Sequence, residues 1–213
     1  MGTTTRTRRT YAPRMPLEQR KEQLLDAALT LIGRVGYGGV TIEAIAAEAG
    51  VTKPVVYGAY AKLPLLLGDL LDHTYADALT QLLATFPDTT PRPAEVTRAW
   101  AAAVRGNPRT WVPILLTGAH TPQVVLDRIE DGRQLVRDSL AQLLANGAPI
   151  TSRDRVASEA IIAAAEHFGR RMLTTPDEVD DDELAELFED LVRAAARRPQ
   201  ASRTSSSTPS ASR

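Results

Sequence analysis

Between residues 17 and 197, hydrophobic positions recur at helical spacing along most of the chain. Leu24, Ala28, Leu31 and Val35 follow one another at intervals of four, three and four, which predicts the buried stripe of an amphipathic helix over about residues 17–35. Gly36 stops that helix as a C′ glycine. Thr41 caps a short helix with Ile42, Ile45 and Ala46 on its apolar face and Glu43 favourably placed in its first turn, and Gly50 ends it. Thr52 caps a third helix, with Pro54 in the first turn, where a missing N–H costs little. A fourth helix is predicted from about residues 62–64 to Phe86, through Leu66, Leu67, Leu70, Leu71, Leu79, Leu82 and Leu83. Pro and Gly punctuation predicts five more helices, over about 93–105, 108–119, 122–146, 152–173 and 180–197. Each begins near a proline or a small polar cap such as Asn107, Thr121, Thr151 or Ser152. Alternating apolar and polar runs with hairpin turns between them do not occur. The expectation is an all-α chain of about nine helices.

The ends differ in composition. Residues 1–16 are rich in Thr, Arg and Pro and read as a flexible basic arm. Residues 198–213 hold too little apolar surface to offset the entropy of ordering and read as a disordered tail. The organisation expected is therefore an arm (1–16), a three-helix unit (17–63), a larger helical bundle (64–197) and a tail (198–213).

Composition then removes alternatives. The 213-residue chain has no cysteine, which excludes disulfides, thiolate metal sites and a cysteine nucleophile. Its three histidines, His73, His120 and His167, are isolated, with no metal-ligand spacing. No phosphate-binding glycine loop follows a strand, and no serine lies in a nucleophile elbow. An enzyme, a cofactor and a metal are therefore not expected. No apolar run approaches the roughly 20 residues that span a bilayer, and residues 1–16 lack the apolar region of a signal peptide. A cytoplasmic protein without a membrane partner is expected. The net charge of −1 hides an asymmetry: residues 1–62 carry +4 and the remainder −5. That bias points to a polyanion as partner for the first part.

The stretch from Thr41 to Tyr60, TIEAIAAEAGVTKPVVYGAY, supplies the chemistry. Two short helices joined by a tight turn at Gly50-Val51 have the form of a helix-turn-helix. Gly50 suits the left-handed conformation of the turn, and Val51 and Val56 suit a small core between the helices. Thr41 and Thr52 bring hydroxyls and free N–H groups to helix starts, where phosphate oxygens bind. Residues 17–71 resemble the N-terminal domain of TetR-family transcriptional regulators. The matching residues run from Leu24-Leu25-Asp26-Ala27-Ala28 and Leu31 through Gly36-Tyr37 and Val40-Thr41-Ile42. They continue through Ile45-Ala46-Ala47-Glu48-Ala49-Gly50-Val51-Thr52-Lys53 to Val56-Tyr57 and Tyr60.

The resemblance implies a dimer bound to a pseudo-palindromic DNA operator. It places Thr41 and Tyr57 on phosphates and Thr52, Lys53, Pro54 and Val55 in the groove, Lys53 reaching guanine and Val55 a thymine methyl. The chain departs from the family where the third helix meets the fourth. Ala59 replaces a side chain that would touch phosphate, and the family's lysine is displaced by one residue, to Lys62, which still reaches towards phosphate. Arg6, Arg8, Arg9 and Arg14 of the arm suit a minor groove.

For the bundle, the resemblance implies a small-molecule effector and pairing through the last two long helices, and a repressor released by a small, largely apolar ligand. The alternative is a DNA-binding dimer without an inducer, its second domain serving only dimerisation or protein docking. Trp100, Trp111 and His167 are the expected ligand neighbours, with Arg105, Arg128, Glu130, Arg133 and Glu166 as further polar options. The expected homodimer interface comprises Ile161, Ala165, Phe168 and Met172 of one helix and Leu184, Leu187, Phe188 and Leu191 of the last.

Overall fold

The computed structural model describes residues 15–85 and 91–197. Among them are nine α-helices, two 3-10 turns and no strand. The basic arm and the tail expected from the sequence lie outside the described residues, apart from Met15 and Pro16.

Helix α1 spans Leu17–Val35, and Gly36 (φ 70°) follows it. Leu24, Ala28 and Leu31 are buried as their spacing predicts, whereas Val35 is exposed because the stripe has passed the end of the packed face. A 3-10 turn over Tyr37–Gly39, not expected from the sequence, leads to α2 (Ile42–Glu48) and α3 (Lys53–Ala59). Thr41 caps α2 by accepting from the Ala44 N–H at 3.1 Å. Gly50 takes φ 64°, the left-handed conformation in which a Cβ would be strained. Val56 is fully buried and Val51 packs against the same cluster.

Helix α4 (Leu63–Leu83) ends before the expected Phe86. It is followed by α5 (Pro93–Gly106), α6 (Pro108–Leu115), α7 (Gln123–Ala145), α8 (Ser152–Thr174), a 3-10 turn (Pro176–Glu178) and α9 (Asp181–Ala196). Helix α6 is four residues shorter than the Pro and Gly punctuation predicts. Pro113 lies inside it, and the chain turns at Gly118, whose N–H donates to the Thr121 hydroxyl at 2.9 Å. Thr151 caps α8 in a reciprocal box with Asp154, and Asp180 caps α9 through the Asp182 and Glu183 N–H groups.

Two apolar clusters hold the helices together, and their division does not fall at residue 63. The first joins Leu24, Ile45 and Val56 to Leu66, Leu67, Leu70 and Leu71 of α4 and to Val125 and Ile129 of α7. The three-helix unit is too small to bury its own apolar faces and borrows the first half of α4. The second cluster joins α5, α6, α8 and α9 through Val104, Trp111, Ile114, Leu115, Ile161, Met172, Leu184 and Phe188.

Helix α6 bridges the two clusters. The buried Tyr37 hydroxyl donates to the Pro113 carbonyl at 2.8 Å. That carbonyl lies in the last turn of α6, where backbone acceptors have no partner within the helix. One turn earlier on α6, Arg109 donates to the Asp26 carbonyl of α1 at 3.0 Å and pairs with its carboxylate.

Candidate nucleic-acid interface

The start of α3 is an exposed edge. Thr52, Lys53, Pro54, Val55 and Tyr57 are all exposed, with Val55 at 36% and Tyr57 at 54%, while Val56 between them is the anchor. This alternation follows from helical phase: one residue of the turn points into the core and its neighbours project outward. Thr52 occupies the N-cap position of α3 but makes no side-chain capping bond, so its hydroxyl is available. Thr41 is exposed at the start of α2, its oxygen engaged in its own cap.

Electrostatics add what spacing does not reveal. The Lys53 ammonium is ion-paired with the Glu43 carboxylate of α2, a residue ten positions earlier. That contact holds the Glu43 carboxyl below its usual range, chiefly through the hydrogen bond from Lys53. Arg34 pairs with Glu48 at 2.8 Å and Lys21 with Glu18 at 3.7 Å. Lys62 is exposed at the N-cap of α4. Tyr60, two residues before it, is buried, and its hydroxyl donates to Asp69 of α4, tying the end of α3 to the next element.

Of the expected effector residues, the two tryptophans come together and His167 does not. Trp100 and Trp111 meet edge-to-face, 6.4 Å between centroids. Gly169 of α8 makes room for Trp100: a Cβ there would come within 2.9 Å of the indole ring and of Leu115. His167 precedes Gly169 by two residues, some 200° of helical rotation, and is exposed with its ring edge-on to Phe168. It therefore does not converge with the tryptophans. The polar options are engaged elsewhere. Arg105 holds Asp181 and the carbonyls of Pro176 and Val179, Arg128 pairs with Asp72, and Arg133 joins Glu130 to Glu166. The Trp111 indole N–H is buried without a hydrogen-bond partner. Two surface clefts, of about 450 and 360 Å³, lie instead between α4 and α7 and between α1 and α6; the second is lined by Leu29, Thr30, Arg109 and Val112.

Most of the residues assigned to pairing are internal. Ile161, Met172, Leu184 and Phe188 are buried within the chain, and Ala165 and Phe168 pack partly buried on the same cluster. Apolar periodicity marks a face that is covered, and here the chain covers it itself. Leu187 and Leu191 are different, 45% and 38% exposed on α9. Beside them α8 exposes Val156, Ala160 and Ala163, a second stripe at four and three. On this flank Arg153 of α8 donates to the Ala194 carbonyl of α9 at 3.4 Å. The sequence reading took the more apolar face of α8, from Ile161 to Met172, and passed over this one.

This arrangement, two short helices joined through the left-handed Gly50 turn with the start of the second exposed, has the form of a helix-turn-helix. Comparison with known proteins agrees. Residues 24–61 match the model of the bacterial regulatory proteins, tetR family. The chain is 25% identical over 177 residues to the HTH-type transcriptional activator FasR of Mycolicibacterium smegmatis, covering 81% of each. It is similar in fold to a TetR-like transcriptional regulator from Rhodococcus sp. RHA1 (TM-score 0.68, 23% identity, 87% of this chain and 100% of that one). It is also similar to the fatty acid degradation regulator FadR of Bacillus halodurans (TM-score 0.64, 15% identity, 85% and 96%). Residues 24–61 are thus a TetR-type helix-turn-helix segment, and the chain shares the fold of TetR-like transcriptional regulators. No helix among the described residues is long and apolar enough to cross a membrane.

Proposed function

We propose that the protein acts as a two-fold dimer that lays α3 of each copy into successive major-groove turns of a pseudo-palindromic operator and represses by occupying it. The carrying observation is the exposed start of α3, Thr52–Val55 and Tyr57, anchored from behind by Val56 and Tyr60. In this reading Lys53 and Val55 meet base edges, Thr41, Thr52, Tyr57 and Lys62 meet phosphates, and Pro54 sets the approach of the helix. Two-fold pairing places the recognition helices about 34–36 Å apart, one turn of B-DNA.

The exposed flank Val156, Ala160, Ala163, Leu187 and Leu191 supports pairing through α8 and α9, with the buried residues of both helices acting as its scaffold. Occupancy of a site that overlaps a promoter excludes polymerase without any further contact. Activation is the named role of the Mycolicibacterium smegmatis relative, and transcription in vitro with and without the protein separates it from repression.

Release by a small, largely apolar ligand has one supporting observation, the buried Trp111 N–H that lacks an acceptor. A ligand there must displace part of the Trp100–Trp111 packing, and movement of α6 would reach the DNA-binding unit through Tyr37 and Arg109. The second reading, a dimer with no inducer, is favoured by the close seating of Trp100 on Gly169, which leaves no room there even for a Cβ.

A gel shift with duplexes from the region upstream of its own gene tests the DNA reading: retardation that weakens steeply with salt is expected, and no retardation at low salt overturns it. Tryptophan quenching by apolar compounds, followed by the same gel shift, separates the two effector readings.

A further inference from the structure

The contact between Glu43 and Lys53 spans the turn of the helix-turn-helix without being needed to hold it. Both side chains are more than half exposed, at 59% and 52%, and exposed ion pairs contribute little to stability. Helices α2 and α3 are already held by Ile42, Ile45, Ala46 and Val56 in the core beneath them. What the pair changes is the charge of the edge that meets DNA: the cation at the first residue of α3 arrives with an anion attached.

We propose that Glu43 is a specificity-determining residue of the DNA interface, holding Lys53 on base edges and withholding it from phosphates. The proposal rests on the reading of α3 as the groove-facing helix. Non-specific affinity comes from cations that neutralise phosphates and release counterions. A lysine already neutralised by a carboxylate adds little to that term.

At a G·C pair the two groups find complementary partners. Lysine has three N–H donors, so one can stay on Glu43 while the others reach guanine O6 and N7. The free lone pairs of the carboxylate then face the cytosine N4 donor. At an A·T pair, thymine presents its O4 acceptor in that place, and the carboxylate is left facing another acceptor. Glu43 thus lowers binding to all DNA and lowers it least where a G·C pair lies beneath α3.

The test uses the full chain with Glu43→Gln, which keeps the shape and removes the charge. Anisotropy titrations on a duplex selected by the wild type and on a scrambled duplex, over a range of salt, give affinity, salt slope and specificity ratio. The variant is expected to bind scrambled DNA more tightly. Its slope of log K against log salt should steepen by about one, because Lys53 becomes free for phosphate. Its specificity ratio should fall by about fivefold or more. In a Lys53→Gln background the same change should leave the slope unaltered, a coupling that a structural role for Glu43 would not produce. Glu43→Ala should act in the same direction, which covers any folding fault peculiar to the glutamine.

A variant that keeps the wild-type ratio and slope on the wild-type's own selected duplex overturns the proposal while leaving the interface reading intact. A wild type that selects no sequence overturns both.

Discussion

Lys53, Val55 and Tyr57 are neighbours on one turn of helix and take different roles in the proposed interface. A lysine that reads guanine carries sequence information, whereas a tyrosine hydroxyl on phosphate carries none. Lys53→Ala is therefore expected to cost about 1–3 kcal/mol on the preferred site and to relax preference at one base pair. Tyr57→Phe should weaken preferred and scrambled duplexes by the same factor. Anisotropy on both duplexes checks the pair. An unchanged site preference in Lys53→Ala would mean that another face of α3 meets the groove. Thr41, Gly50 and Val56 were legible from the sequence because cap, turn and anchor are each fixed by local geometry. Glu43 was legible only as a favourable charge in the first turn of α2. Its pairing with Lys53 depends on how the turn brings two helices together.

At the scale of elements, α6 decides how the two halves of the chain are joined. It is short, interrupted by Pro113, and its last turn leaves carbonyls that the helix cannot satisfy. Tyr37 supplies one donor. Tyr37→Phe removes it and strands a buried acceptor, an expected loss of about 1–3 kcal/mol, read as a lower midpoint in thermal unfolding. The same tyrosine bears on alkaline stability. Burial pushes the hydroxyls of Tyr37, Tyr60 and Tyr75 upward, Tyr75 to about 12, with Asp69 adding to the effect on Tyr60. Unfolded tyrosines titrate near about 10. Above that pH the unfolded chain releases protons that the folded chain retains, so stability is lost as pH rises from about 10 through the folded values. Melts between pH 8 and 11 should show this fall, and Tyr37→Phe should make it shallower.

For the whole molecule, the proposed dimer turns on an exposed flank and not on the most apolar positions. Leu187→Glu with Leu191→Glu places charges where a partner copy would bury them, which is strongly unfavourable for association. Both side chains are exposed in the single chain, so the variant should stay folded. A shift to monomer in sedimentation, with helical content unchanged by circular dichroism, is expected. A folded variant that sediments as a dimer would exclude this flank. Weakened operator binding should accompany the monomer, since each copy then presents one recognition helix.

By itself the sequence determined the helical class, the order of the helices, the cap at Thr41 and the turn at Gly50. These depend on period, caps and conformational limits that act over a few residues, and such constraints are written in adjacent positions. The tertiary structure decided which apolar stripes are spent inside the chain. Ile161, Met172, Leu184 and Phe188 read as a pairing face, but α5 and α6 reach them first. It also decided that His167 turns away from Trp100, that Tyr37 finds a carbonyl 76 residues distant, and that Glu43 meets Lys53. The physical reason is the same in each case. A helical repeat specifies that a face is to be covered or a charge to be paired, and only the packing of distant elements specifies by what.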